Sequence, residues 1–145
     1  MPDFVIDAST TLAWLLGEDE QRRRLPHGFD QAFLVAPWLW RVEVCNAILK
    51  CERRGRLTVV QGTRLLQIID AMQIELVSEP PHRGTEMLAL FARPHQLTSY
   101  DALYLELAIS LDLPLCTLDR NLQIAARRSG LSLVVDFDQP GGSAS

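Results

Sequence analysis

The sequence predicts one α/β domain with a mostly parallel central sheet, covered by helices on both faces. Short runs such as "DFVID", "AFLVA", "IELV", "PLCTL" and "LSLVV" have strand length and composition, and segments of helical period separate them. A chain of 145 residues suits a single core, and 48% hydrophobic residues are enough to fill it. No internal repeat or linker divides it, so the domain is expected over residues 1–135, with a mobile tail at 136–145.

The first strand is expected at residues 3–7, and "STTLAWLL" then opens a helix with Ser9 or Thr10 as its cap. The charged stretch "GEDEQRRRLPHG" ends that helix or adds a turn. A brief strand follows at 32–36, and Pro37 suits the first position of a helix running to a stop at Gly55. "TVVQGTRLLQIIDAM" is a further helix, residues 74–77 a strand, and "PPHRGTEMLALFARPH" a short helix between prolines. "LTSYDALYLELA" is the next helix, 114–118 a strand, and "DRNLQIAARRSG" a helix stopped at Gly130 before the last strand at 131–135.

Composition narrows the function. A net charge of −4 argues against coating nucleic acid by bulk electrostatics. The basic clusters at 22–24, 53–56 and 127–128 read as solvated helix ends unless they flank a phosphate-handling site. Cys45, Cys51 and Cys116 are odd in number and set among apolar residues, and His27, His82 and His95 lack ligand spacing, so neither disulfides nor zinc are expected. No apolar run reaches membrane-spanning length and the N-terminus lacks a signal pattern, which predicts a cytoplasmic protein with no membrane partner.

The acidic residues carry the chemistry. In open parallel sheets, sites form where strands end and helices begin. Asp7 closes the first predicted strand, Asp119 closes the strand at 114–118, Asp101 lies in the first turn of its helix, and Glu43 in the second turn of the helix opening at Pro37. Each has a structural alternative. Asp101 completes a capping box with Thr98, Asp119 caps the following helix, and Glu43 shares a solvent-facing stripe with Asn46 and Lys50. Asp7 has the weakest alternative, because a strand end followed by "AST" needs no acid to turn.

Convergence of the four would force a choice. Two carboxylates 4 Å apart repel by about 4 kcal/mol at an effective dielectric of 20, so the group would take up protons or bind a cation. Oxygen donors in an open site favour Mg²⁺ or Mn²⁺, which can activate a water and clamp phosphodiester oxygens. Ser9, Asn46, Thr117 and Asn121 stand near the acids in sequence, either as supports for carboxylates and waters or as plain turn and cap residues.

"FVIDASTTLAWLL", "APWLWRVEVCNAILKCERRGRL", "LTSYDALYLELAISLDLPLCTLDRNL" and "LSLV", in that order, resemble the PIN domain and within it the VapC-type toxins of type II toxin–antitoxin systems. The resemblance covers nearly the whole chain, and "SYDALYLELA" followed by "LPLCTLDRNL" is its most specific part. It implies a Mg²⁺- or Mn²⁺-dependent ribonuclease that cleaves RNA and restrains growth, with Asp7, Glu43, Asp101 and Asp119 as the catalytic, metal-binding acids. It also implies a homodimer and a VapB-type antitoxin, through which alone the toxin meets DNA. Some relatives carry another acid where this chain has Asn121, which predicts one tightly held ion, with a second recruited by RNA phosphate.

Two other readings compete with this one. An aspartate-based phosphoryl-transfer domain would normally use a lysine near its site, whereas the one lysine here is Lys50, well into a helix. A catalytically silent PIN-like interaction module would not need all four acids. Of the aromatic residues Trp14, Trp38, Trp40, Tyr100 and Tyr104, core packing is the default, with Tyr100 the candidate to meet a base or partner. The apolar helices between 58 and 93 supply either core or a dimer surface.

Overall fold

The computed structural model describes residues 1–17, 29–78 and 84–134. Strand β1 (Phe4–Ile6) leads into helix α1 (Ala8–Leu16), and β2 (Leu34–Pro37) into α2 (Leu39–Arg53). Helix α3 (Val59–Asp70), strand β3 (Ile74–Val77), α4 (Thr85–Ala92), α5 (Ser99–Leu111), β4 (Leu115–Cys116) and α6 (Arg120–Arg128) follow. Single 3₁₀ turns precede β2 and follow α4. The expected segments at 18–28 and the tail at 136–145 lie outside the described residues.

The strands form one parallel sheet in the order β3-β2-β1-β4. Every residue of β1, β2 and β4 is buried, as a sheet covered on both faces requires, while the edge strand β3 is only half-buried. With this strand order, the right-handed crossover rule for parallel strands assigns α1, α2 and α3 to one face and α4, α5 and α6 to the other. The packing agrees: α1 and α3 lie against α2, and α4 and α6 against α5. Helix α5 covers β1, β2 and β4 with Ala102, Tyr104, Leu105 and Ala108. Successive helices on opposite faces leave a crevice beyond the carboxyl ends of β1 and β4, the topological switch point of the sheet.

Several boundaries differ from the sequence expectations. Strand β1 stops at Ile6 and Asp7 caps α1, in place of Ser9 or Thr10; its backbone is extended and its carboxylate accepts the Thr10 amide at 2.9 Å. Pro37 ends β2 rather than opening a helix. It pairs with Val77 of β3, while the register with β1 reaches only Val35, so no ladder bond is lost where proline has no N–H. The ladder continues from the Trp38 amide to the Val77 carbonyl at 2.9 Å, and α2 starts at Leu39.

The strand expected at 114–118 contracts to two residues because Thr117 and Asp119 turn into the cap of α6. Of the expected last strand, Leu133 alone bridges Leu115 among the described residues. Both glycine stops hold: Gly55 and Gly130 follow α2 and α6 at φ +74° and +77°, a left-handed conformation that glycine adopts without a Cβ clash. Trp40 is buried, but Trp38 is 54% exposed and is not core.

Candidate active site

Asp7 stands at the end of the central strand β1 and is 4% exposed. Its carboxylate takes four hydrogen bonds: Oδ1 from the Thr10 amide and hydroxyl (2.9 and 2.6 Å), Oδ2 from the Ser9 hydroxyl (2.9 Å) and the Thr117 hydroxyl. Burial pushes its pKa up and these donors pull it back. Thr117 in turn accepts the Asp119 amide at 3.0 Å, so one hydroxyl ties the ends of β1 and β4 together. Gln123 braces the same turn by donating to the Thr117 carbonyl at 2.8 Å. Asp119 caps α6, accepting the Leu122 amide on Oδ1 at 2.9 Å.

Asp101 sits in the first turn of α5, where the Thr98 hydroxyl accepts its amide at 3.1 Å. Thr98 therefore caps the helix, but the reciprocal bond from the Thr98 amide to the Asp101 carboxylate that a full capping box needs is not formed, which leaves that carboxylate for another role. The Asp101 carboxyl is pushed up to about 6 by its own burial and then by the charges of Asp119, Asp7 and Glu43. Glu43 is also pushed up, by burial and by Asp7, against a hydrogen bond from Tyr104. The four acids therefore share one electrostatic field, although they come from four separate elements.

Glu43 is half-buried, while Asn46 and Lys50 on the stripe it was expected to share are exposed. The reason is Tyr104, whose hydroxyl donates to Glu43 Oε1 at 2.6 Å. A second tie fixes α2 beside α1. The Trp40 indole N–H donates to the Thr11 hydroxyl at 3.0 Å, which donates to the Asp7 carbonyl at 3.1 Å. Tyr104 was expected only as packing; its position three residues after Asp101, on the same helical face, is the signal that could have singled it out.

Of the residues expected to support the acids, Ser9 and Thr117 bond Asp7 directly. Asn46 and Asn121 are exposed and make no hydrogen bond to any of the four. Tyr100 is 55% exposed and, with Glu43, Arg41 and Asn46, lines an open groove of about 620 Å³.

Residues 4–128 match the PIN domain family. The chain belongs to that family. This PIN domain is 29% identical over 125 residues to Ribonuclease VapC1 from two strains of Mycobacterium tuberculosis, an alignment covering 86% of this chain and 92% of either relative. Its fold resembles the crystal structure of PAE2754 from Pyrobaculum aerophilum, with a TM-score of 0.65 and 27% identity over 92% of this chain and 84% of that one.

The donor set of the PIN site is all oxygen, which suits a hard divalent ion rather than zinc. Among the described residues, no three His, Cys, Asp or Glu side chains stand in a closed ligand arrangement. Both oxygens of Asp7 meet protein donors, as do Glu43 Oε1 and Asp119 Oδ1. The repulsion at Asp101 is what a cation would relieve, so the chemistry of the site fits a divalent ion.

Proposed function

We propose that this PIN domain is a Mg²⁺- or Mn²⁺-dependent endoribonuclease, the toxin of a toxin–antitoxin pair, with Asp7, Glu43, Asp101 and Asp119 as its catalytic acids. The observation that carries the reading is the convergence of three carboxylate charges on Asp101 at the switch point of the sheet. The likeness to Ribonuclease VapC1 supports RNA as the substrate.

Asp101, Asp119, Glu43 and Asp7 would hold the ion, which supplies Lewis acidity to a water and to phosphodiester oxygens when bound. The chain's own residues do the positioning. Ser9, Thr10 and Thr117 fix the Asp7 carboxylate in one orientation. The cap of α6 holds Asp119 by one oxygen. The half-buried placing of Asp101 and Glu43 strengthens their attraction to a cation and sharpens their mutual repulsion without one. Exposed Tyr100 offers a face for stacking a base of single-stranded RNA.

A homodimer and a VapB-type antitoxin belong to the same reading, with a basic antitoxin side chain entering the acidic crevice and DNA contacted only through the antitoxin. No helix among the described residues is long and apolar enough to cross a membrane. The deciding experiment incubates purified protein with RNA and Mn²⁺ beside Asp101→Asn. Cleavage that requires both the metal and Asp101 supports the proposal; cleavage surviving the substitution refutes it. Growth arrest on induction, lost in Asp7→Ala, tests the toxin role.

A further inference from the structure

Among the described residues, the Tyr104 hydroxyl on α5 is the group that hydrogen-bonds the Glu43 side chain on α2. Its ring is 1% exposed and belongs to the central core cluster with Val35, Trp40 and Leu105, so the hydroxyl is held in place by packing. It donates to Glu43 Oε1 at 2.6 Å, a charge-assisted bond. Burial and the Glu43 charge both push the phenol's pKa up, so it remains a donor. Glu43 has reason to leave. Asp7 repels it, it has three rotatable side-chain bonds, and the groove it lines with Arg41 and Asn46 is open. Nothing else in the described structure donates a hydrogen bond to its side chain.

We propose that Tyr104 is the positioning residue for Glu43, holding Oε1 so that the carboxylate stays with the other three acids. The inference rests on the metal-dependent reading above. Without the hydroxyl, Glu43 swings into the groove beside Arg41, and the ion loses part of its ligand set. Tyr104 thereby acts on the metal through Glu43 and touches neither metal nor RNA.

The test is Tyr104→Phe in the full chain, with Mn²⁺ binding measured by the loss of the free-ion electron paramagnetic resonance signal. Loss of a bond that orients a metal ligand typically weakens binding 10- to 100-fold, so about a tenfold rise in the Mn²⁺ Kd is expected. The Mn²⁺ concentration for half-maximal RNA cleavage should rise by the same factor, with most of the rate recovered at saturation. A double variant with Glu43→Gln should bind Mn²⁺ no more weakly than Glu43→Gln alone, because the hydroxyl acts only through that carboxylate. A Tyr104→Phe protein with wild-type Mn²⁺ affinity overturns the inference, as does full additivity in the double variant. Wild-type protein that binds no Mn²⁺ overturns the metal-dependent reading itself, and this inference with it.

Where Tyr104→Phe does not fold, 3-fluorotyrosine in the wild-type chain gives two ¹⁹F signals, one for each tyrosine. Tyr100→Phe assigns them. A Mg²⁺ titration that shifts the Tyr104 signal supports the link to Glu43, and a signal indifferent to saturating Mg²⁺ removes it.

Discussion

Replacing Asp101 by asparagine should stabilise the metal-free protein at neutral pH while abolishing its activity. The Asp101 carboxyl is moved from its ordinary 3.8 up to about 6, first by burial and then by Asp119, Asp7 and Glu43. A raised carboxyl binds its proton more tightly folded than unfolded, so its contribution to stability is complete below 3.8 and is lost as pH rises through 6. Carried wholly by dry protein, that change would be worth about 3 kcal/mol. Asp101 is only half-buried, so water screens much of the repulsion, and about 1 kcal/mol is the figure to expect. Asparagine keeps the shape and removes the charge.

The assay is thermal unfolding of wild type and Asp101→Asn in EDTA, at pH 7.5 and at pH 4. A gain of about 1 kcal/mol corresponds to a Tm rise of about 3 °C for a chain of this size. The gain should appear at pH 7.5 and shrink towards zero at pH 4, where wild-type Asp101 is already protonated. An asparagine variant less stable than wild type at pH 7.5, or one equally favoured at both pH values, would show that neither burial nor the neighbouring acids disfavour the Asp101 charge in the fold.

Divalent ions should reverse this order. At about 100 times its Kd, Mg²⁺ or Mn²⁺ should stabilise the wild type by about 2.7 kcal/mol, and Asp101→Asn by much less; equal shifts in Tm for the two proteins would place the ion elsewhere. Thr117→Val removes a hydroxyl donor from buried Asp7 and an acceptor from the Asp119 amide, so a loss of about 1–3 kcal/mol is expected in urea unfolding. A loss under about 0.5 kcal/mol, the usual scale of a neutral surface change, would mean the tie between β1 and β4 is dispensable. Asp112 ends α5 at φ 53°, in the left-handed region. Asp112→Gly relieves its Cβ strain and should gain about 0.5 kcal/mol; a lower Tm would contradict this.

Much of this PIN domain was legible because its signals are local. Alternating strand and helix patterns, the glycine stops at Gly55 and Gly130, and strand β3 at Ile74–Val77 depend on neighbours in the chain. Placing Asp7 and Asp119 at strand ends needed only the rule that sites collect at the carboxyl edge of a parallel sheet. The readings that failed were those decided by distant partners. Pro37 looks like a helix start until Val77 pairs with it, and Trp38 looks like core until its side chain is found outside.

The sequence by itself determined the fold class, the order of the elements and which acids stand where helices begin, because backbone propensity and hydrophobic period act over a few residues. Tertiary structure alone decided that Glu43 turns inward while Asn46 stays out, that Tyr104 crosses to meet it, and that one threonine hydroxyl joins β1 to β4. Those contacts link residues 61 and 110 positions apart. No local pattern encodes them, since they exist only once the sheet has brought the strand ends and both helix layers together.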